Sequence, residues 1–109
     1  MILLAVRDLL SRSRIQAAAD RLGVPYRLAP RSGVDEESLR QATTVLADLG
    51  EPGALDLVRA AKRSGPARVV GFLGHLQQEL MRDAAAAGVD EVLTRGELVR
   101  RLDDILRAA

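Results

Sequence analysis

Cysteine is absent from the 109 residues, which excludes a disulfide framework, a thiolate metal site and a cysteine nucleophile. Aromatic residues are nearly absent as well, Tyr26 and Phe72 being the only two. A single-stranded nucleic acid is held by stacking its bases on several aromatic faces, so that function has no platform here. Charge of one sign does not dominate. Sixteen Lys+Arg against fifteen Asp+Glu leave a formal net charge of +1, which removes bulk attraction to nucleic acid or to a membrane surface. Long hydrophobic runs are missing too. Met1-Ile2-Leu3-Leu4-Ala5-Val6 gives way at once to Arg7 and Asp8. That is too short for the apolar core of a signal peptide, and far short of the about 20 apolar residues of a membrane span. The expectation is a soluble, cytoplasmic chain with neither a nucleic-acid nor a membrane partner. Lysine is reduced to Lys62, the other fifteen basic residues being Arg. Fork-shaped ion pairs would use that bias; a coding bias toward Arg and Ala produces it equally well.

What is present is a 48% hydrophobic, 28% charged chain, the size of one domain, since single cores hold about 100–200 residues. Folding at this length hides roughly 60–70% of the unfolded surface, enough for a core without staples. Short apolar runs alternate with amphipathic ones. Ile2–Val6 reads as a buried strand; Leu10, Ile15, Ala18, Ala19 and Leu22 then recur at helical spacing up to Gly23 and Pro25. Tyr26–Ala29 is a weaker strand ended by Pro30, and Asp35 caps a short helix to about Ala42. Residues 43–47 form a third strand, closed by Asp48, Gly50, Pro52 and Gly53, with a helix over about 54–62. Val69–Leu73 is a fourth strand, followed by a helix over about 76–87 that Gly88 stops. Residues 91–93 are a fifth strand. Thr94-x-x-Glu97 has the form of a capping box for a last helix bearing Leu98, Leu102, Ile105 and Leu106. Five βα units with short connections predict an α/β fold: a three-layer α/β/α sandwich around a doubly wound, five-stranded parallel sheet.

In such sheets a ligand sits beyond the carboxyl ends of the strands, where strand order reverses. The residues placed there are Arg7 and Asp8, Asp48–Pro52, Leu73–His75 and Thr94–Gly96. Neither G-x-G-x-x-G after the first strand nor G-x-x-x-x-G-K-[ST] occurs, which argues against dinucleotide and P-loop sites. His75, the single histidine, has no second imidazole for a metal; an acid/base couple with Asp48 would lack a serine nucleophile nearby. Asp48 is the one carboxylate directly at the end of a central strand, where a turn-forming Asp is the simplest reading.

The order of these landmarks carries a second reading. Asp48-Leu49-Gly50-Glu51-Pro52 and Gly88-Val89-Asp90-Glu91-Val92-Leu93-Thr94-Arg95 resemble two segments of the receiver domains of two-component response regulators, the CheY-like family of the flavodoxin-like fold. The first resembles D-x-x-x-P after the third strand, whose Asp accepts a phosphoryl group; the second resembles the run from a helix-terminal Gly to the Lys-Pro after the fifth strand. The resemblance covers essentially the whole chain and implies the strand order 2-1-3-4-5, with Asp48 as the phosphoacceptor equivalent. The departures are chemical. Val6 and Arg7 stand where the family's acidic pair helps hold Mg²⁺, with Asp8 as a substitute one place late. Leu73 stands for the Thr or Ser that contacts the phosphoryl group, Arg95 for the Lys, Gly96 for its Pro, and Val92 for the aromatic that moves on activation.

The pocket of Val6, Arg7, Asp8, Leu73 and Arg95 is therefore degenerate. Mg²⁺ needs hard oxygen ligands, commonly including one or two carboxylates, and phosphoryl transfer relies on cations to neutralise developing charge. The resemblance then implies an atypical pseudo-receiver: no enzyme, no cofactor, a protein–protein interaction module in signal transduction without phosphorylation control. Arg7 is expected in the metal's place, paired with Asp48. The alternative is a functional single-domain response regulator phosphorylated on Asp48, with Asp8 and Asp48 as Mg²⁺ ligands. A flavodoxin-like small-molecule or enzymatic domain is a third reading, disfavoured for flavin by the missing phosphate loop and the few aromatics. The expectation is a single receiver-like domain over residues 1–109 without an output domain, so a histidine kinase or another signalling protein is the expected partner. The family's contact face is the fourth helix, fifth strand and fifth helix. Here it would carry Arg100, Arg101, Asp103 and Asp104, and a homodimer through the last two helices would use it.

Overall fold

The central strands are short apolar runs whose alternate side chains enter opposite layers, so they are buried on both faces. In the computed structural model, which describes residues 1–30, 33–74 and 77–109, β1 is Ile2–Ala5, β2 Tyr26–Leu28, β3 Thr44–Asp48, β4 Arg68–Leu73 and β5 Glu91–Thr94. They form one parallel sheet in the order β2-β1-β3-β4-β5. The helices between them are α1 (Leu9–Leu22), α2 (Glu36–Gln41), α3 (Ala54–Ser64), α4 (Gln78–Ala87) and α5 (Arg95–Arg107). Ile2, Leu4, Leu46, Val70, Phe72 and Leu93 pack against α1 and α5. Leu3, Val45 and Val69 pack on the other face against α2 and α3, and Leu49 and Leu73 pack under α4. This is the three-layer, doubly wound architecture that the sequence predicts, with strand order 2-1-3-4-5. No helix among the described residues is long and apolar enough to cross a membrane.

Helix ends follow the local chemistry. Asp8 caps α1, its Oδ2 accepting from Ser11 N at 3.1 Å, and Asp35 caps α2 through Ser38. Thr94 and Glu97 form the full capping box of α5. Gly88 ends α4 at φ +109°, a left-handed conformation that glycine reaches without strain.

The observed elements depart from the sequence-based limits mostly by one or two residues, and one departure matters. Leu10 was expected on the buried stripe of α1 but is 65% exposed. The cap on Asp8 fixes the helix phase so that Ser11, Ile15, Ala18 and Ala19 face the core. Leu10 lies about 100° round from Ser11 and points out. His75, and the start of the predicted fourth helix at Leu76, lie outside the described residues.

Candidate functional site

The carboxyl ends of β1, β3, β4 and β5 meet where the strand order reverses, β1 lying between β2 and β3. Asp48 is the last residue of β3, in register with Phe72 of β4, and only 7% exposed. Its Oδ1 accepts from Gly50 N at 3.0 Å, and its backbone carbonyl accepts from Glu51 N at 3.2 Å. These two bonds fold the chain into a tight turn. Asp48 thus makes the turn its position alone suggests, while Oδ2 remains directed at a cation.

That cation is Arg95, the first residue of α5. Its Nη2 lies 3.7 Å from Asp48 Oδ2, while its Nη1 donates to Asp8 Oδ2 at 3.0 Å and to Ser11 Oγ at 3.0 Å. The guanidinium carbon sits 5.6 Å from the centroid of the Phe72 ring, within cation–π range. One planar fork therefore joins the end of β3 to the N-terminus of α1, a bridge a lysine ammonium could not span in the same way. The Asp8 carboxyl is held below its ordinary range, first by the Ser11 hydroxyl and backbone N–H, then by Arg95.

Arg7 does not take the metal's place beside Asp48. Its backbone N–H donates to Glu51 Oε1 at 2.6 Å, and its Nε lies 3.8 Å from Glu51 Oε2. The expectation failed because Glu51, in the loop after β3, intercepts both polar groups of Arg7. Val6 is buried in the apolar layer beside α1 and α5 and offers no donor. Leu73 belongs to a small cluster with Leu49 and Ala84, against which Leu80, Met81 and Val92 pack. The positions that in receivers carry a hydroxyl and a mobile aromatic are here part of the seat of α4.

A cavity of about 490 Å³ opens above Asp48, lined also by Glu51, Leu73, Gly74, Leu80 and Arg95. Its chemistry does not suit Mg²⁺. A divalent ion wants several oxygen donors with at least one carboxylate free to bind. Asp8 and Asp48 are both turned to one guanidinium, and no group of three acidic or imidazole side chains that could hold a metal occurs among the described residues.

No protein-family model matches this chain, and no curated protein matches it by sequence. Solved structures do. A CheY-like receiver domain protein from Methanospirillum hungatei superposes with a TM-score of 0.76 at 16% identity, over 98% of this chain and 93% of that one. An orphan response regulator of H. pylori superposes with a TM-score of 0.70 at 20% identity, over 97% and 95%. A response regulator from Burkholderia pseudomallei, which carries a phosphorylated aspartic acid and a calcium ion, gives a TM-score of 0.75 at 18% identity, over 96% of this chain and 65% of that one. The fold is that of the response regulator receiver domain, the CheY-like form of the flavodoxin-like architecture. The pocket is this chain's own.

Proposed function

We propose that this chain is an atypical receiver domain that works in signal transduction by contact with a protein partner, without control by phosphorylation. The observation that carries the reading is Arg95, which sits between Asp8 and Asp48 and supplies the pocket's positive charge from within the chain. Phosphoryl transfer to an aspartate needs an added cation and room for three phosphoryl oxygens. Here the nearest carboxylates are engaged and Leu73 has no hydroxyl to offer. The module is on this reading not an enzyme, needs no cofactor, and acts in the cytoplasm on a histidine kinase or another signalling protein.

A second reading, a working response regulator phosphorylated on Asp48, draws support from the open cavity beside that residue and from the phosphorylated aspartate of the Burkholderia protein. It requires Arg95 to release both Asp8 and Asp48 to a metal. Intact mass after incubation with acetyl phosphate and Mg²⁺, run beside Asp48→Asn, separates the two. The expected result is no adduct on either folded protein. A phosphoryl adduct on the wild type that vanishes in Asp48→Asn overturns the first reading.

A further inference from the structure

We infer that a cavity between α3 and the chain joining β2 to α2 is a binding site for a small uncharged alcohol. The site goes beyond the interaction-module reading and does not rest on it. Helix α2 has six residues where α3 has eleven, so it runs about 9 Å against about 16 Å. The upper part of this layer is left to the connection that follows β2. The effect shows on β1, a central strand. Leu3, facing α2 and α3, is fully buried, whereas Ala5, the next residue on the same face, is only half-buried. Above Ala5 the cavity measures about 330 Å³, within the roughly 300–1,000 Å³ of small-molecule sites. Ala54, Leu57 and Ala60, at three-residue spacing, line it from α3, and Pro30 and Val34 line it from the connection after β2. Its place is beyond the ends of β1 and β3, where strand order reverses. Asp48 and Arg95 do not line it, so it is separate from the pocket described above.

Charge decides the occupant. The charged residues of the lining are Arg7, Glu51 and Asp56, and each is already answered within the chain. Asp56 pairs with Arg59 at 3.1 Å, and Glu51 faces Arg7. A carboxylate ligand would meet both acids, and an ammonium would meet Arg7. Either would bring into an apolar recess a charge without an unclaimed counter-charge, which is costly. The Arg7–Glu51 pair, however, is not closed. Glu51 Oε1 accepts from the Arg7 backbone N–H at 2.6 Å, but Oε2 lies 3.8 Å from Arg7 Nε, beyond hydrogen-bond distance. A hydroxyl oxygen can stand within reach of both, accepting from the guanidinium and donating to the carboxylate. An alcohol therefore answers the pair without adding charge, while its apolar body fills the space along α3. At about 30 Å³ for each water-sized group, that space takes a molecule of about ten non-hydrogen atoms.

The test titrates the full chain with phenethyl alcohol, beside its charged relatives phenylacetate and phenethylammonium, and follows the backbone amides by NMR. The alcohol should bind saturably with a dissociation constant of about 1 mM or tighter, the order open to a ligand of this size. Its shifts should gather on Ala5, Arg7, Gly53 and Ala54, and both charged relatives should bind at least about tenfold more weakly. Ala60→Leu adds bulk from a half-buried position on the cavity wall and should abolish binding in a chain whose spectrum remains folded. Arg7→Met keeps the backbone bond to Glu51 and removes the guanidinium; affinity should fall about 2–10-fold, the loss of one hydrogen bond. The absence of a saturable shift up to about 10 mM alcohol, a charged relative that binds as tightly, or a folded Ala60→Leu chain that binds unchanged overturns the inference. So do shifts centred on the cavity above Asp48. None of these readouts depends on whether Asp48 accepts a phosphoryl group, so they fail or succeed separately from the phosphorylation test.

Discussion

Replacing Arg95 by alanine removes the one side chain that, among the described residues, pairs with both Asp8 and Asp48, and its cost can be worked from the geometry. The Asp48 pair at 3.7 Å joins a carboxylate side chain 11% exposed to a guanidinium 41% exposed. Ion pairs open to solvent contribute about 0.2–1 kcal/mol, and this half-sheltered one belongs at the upper end. Loss of the contact with the Phe72 ring adds about 0.5–1 kcal/mol, and the solvent-facing Asp8 contact is left out of the sum. Arg95→Ala should therefore cost about 1–2 kcal/mol, read as a lower urea midpoint with an unchanged slope. With the guanidinium gone, the Asp48 carboxylate keeps the Gly50 N–H against its charge but loses its cation. Adding Asp48→Asn should then restore part of the loss, a favourable coupling in the double-mutant cycle. Arg95→Lys should fall between, since an ammonium keeps the charge but not the fork. An Arg95→Ala midpoint equal to the wild type, or an Asp48→Asn single variant more stable than the wild type, would refute the idea that this cation holds the pocket.

Two further outcomes follow from packing and titration. A Cβ at Gly71 would meet three atoms of the buried Leu49 side chain at 2.6–2.8 Å; Gly71→Ala should cost about 1–3 kcal/mol in urea unfolding, and Leu49→Ala in the same chain should relieve the clash. At Asp90, burial raises the carboxyl pKa, but the Lys62 ammonium and the Val69 N–H outweigh it and leave the group below its ordinary range, as bonds to Ser11, Ser38 and Thr94 do for Asp8, Asp35 and Glu97. Carboxyls lowered in the fold bind fewer protons there than in the unfolded chain, so their contribution is complete above about pH 4–5 and is lost as pH falls through their folded values. Urea midpoints should hold steady from pH 7 to about 5 and fall below about 4, less steeply in Asp90→Asn; a midpoint that rises on acidification would contradict the assigned bonds.

The layers and strand order were legible in the sequence because each rests on local signals that agree. Apolar runs bounded by Gly and Pro fix the strands, Asp8, Asp35 and Thr94 mark helix starts, and right-handed crossovers leave few topologies. Strand ends were less legible: Asp48 is the last pair of the β3–β4 ladder, a fact set by the partner strand rather than by residues 43–48 themselves. Leu10 was misplaced because five apolar residues at roughly helical spacing do not fix the phase of a helix. The side chain of Asp8 fixes it, and a cap one residue along would have buried Leu10 in place of Ser11.

The choice of cation at Asp48 was hidden for a different reason. Arg7 stands at one position of the acidic pair that receivers carry, and Arg95 is 47 positions from Asp48, yet reach and competition decide the pairing. Glu51 closes its own loop over the Arg7 N–H at 2.6 Å and draws that side chain away, whereas Arg95 starts a helix whose N-terminus points its guanidinium across Phe72 toward two carboxylates. Neither preference is written in spacing. Arg95 also lines both the cavity above Asp48 and a cleft between α1 and α5. Through that one side chain Asp8 at the start of α1 and Asp48 at the end of β3 share a single positive charge.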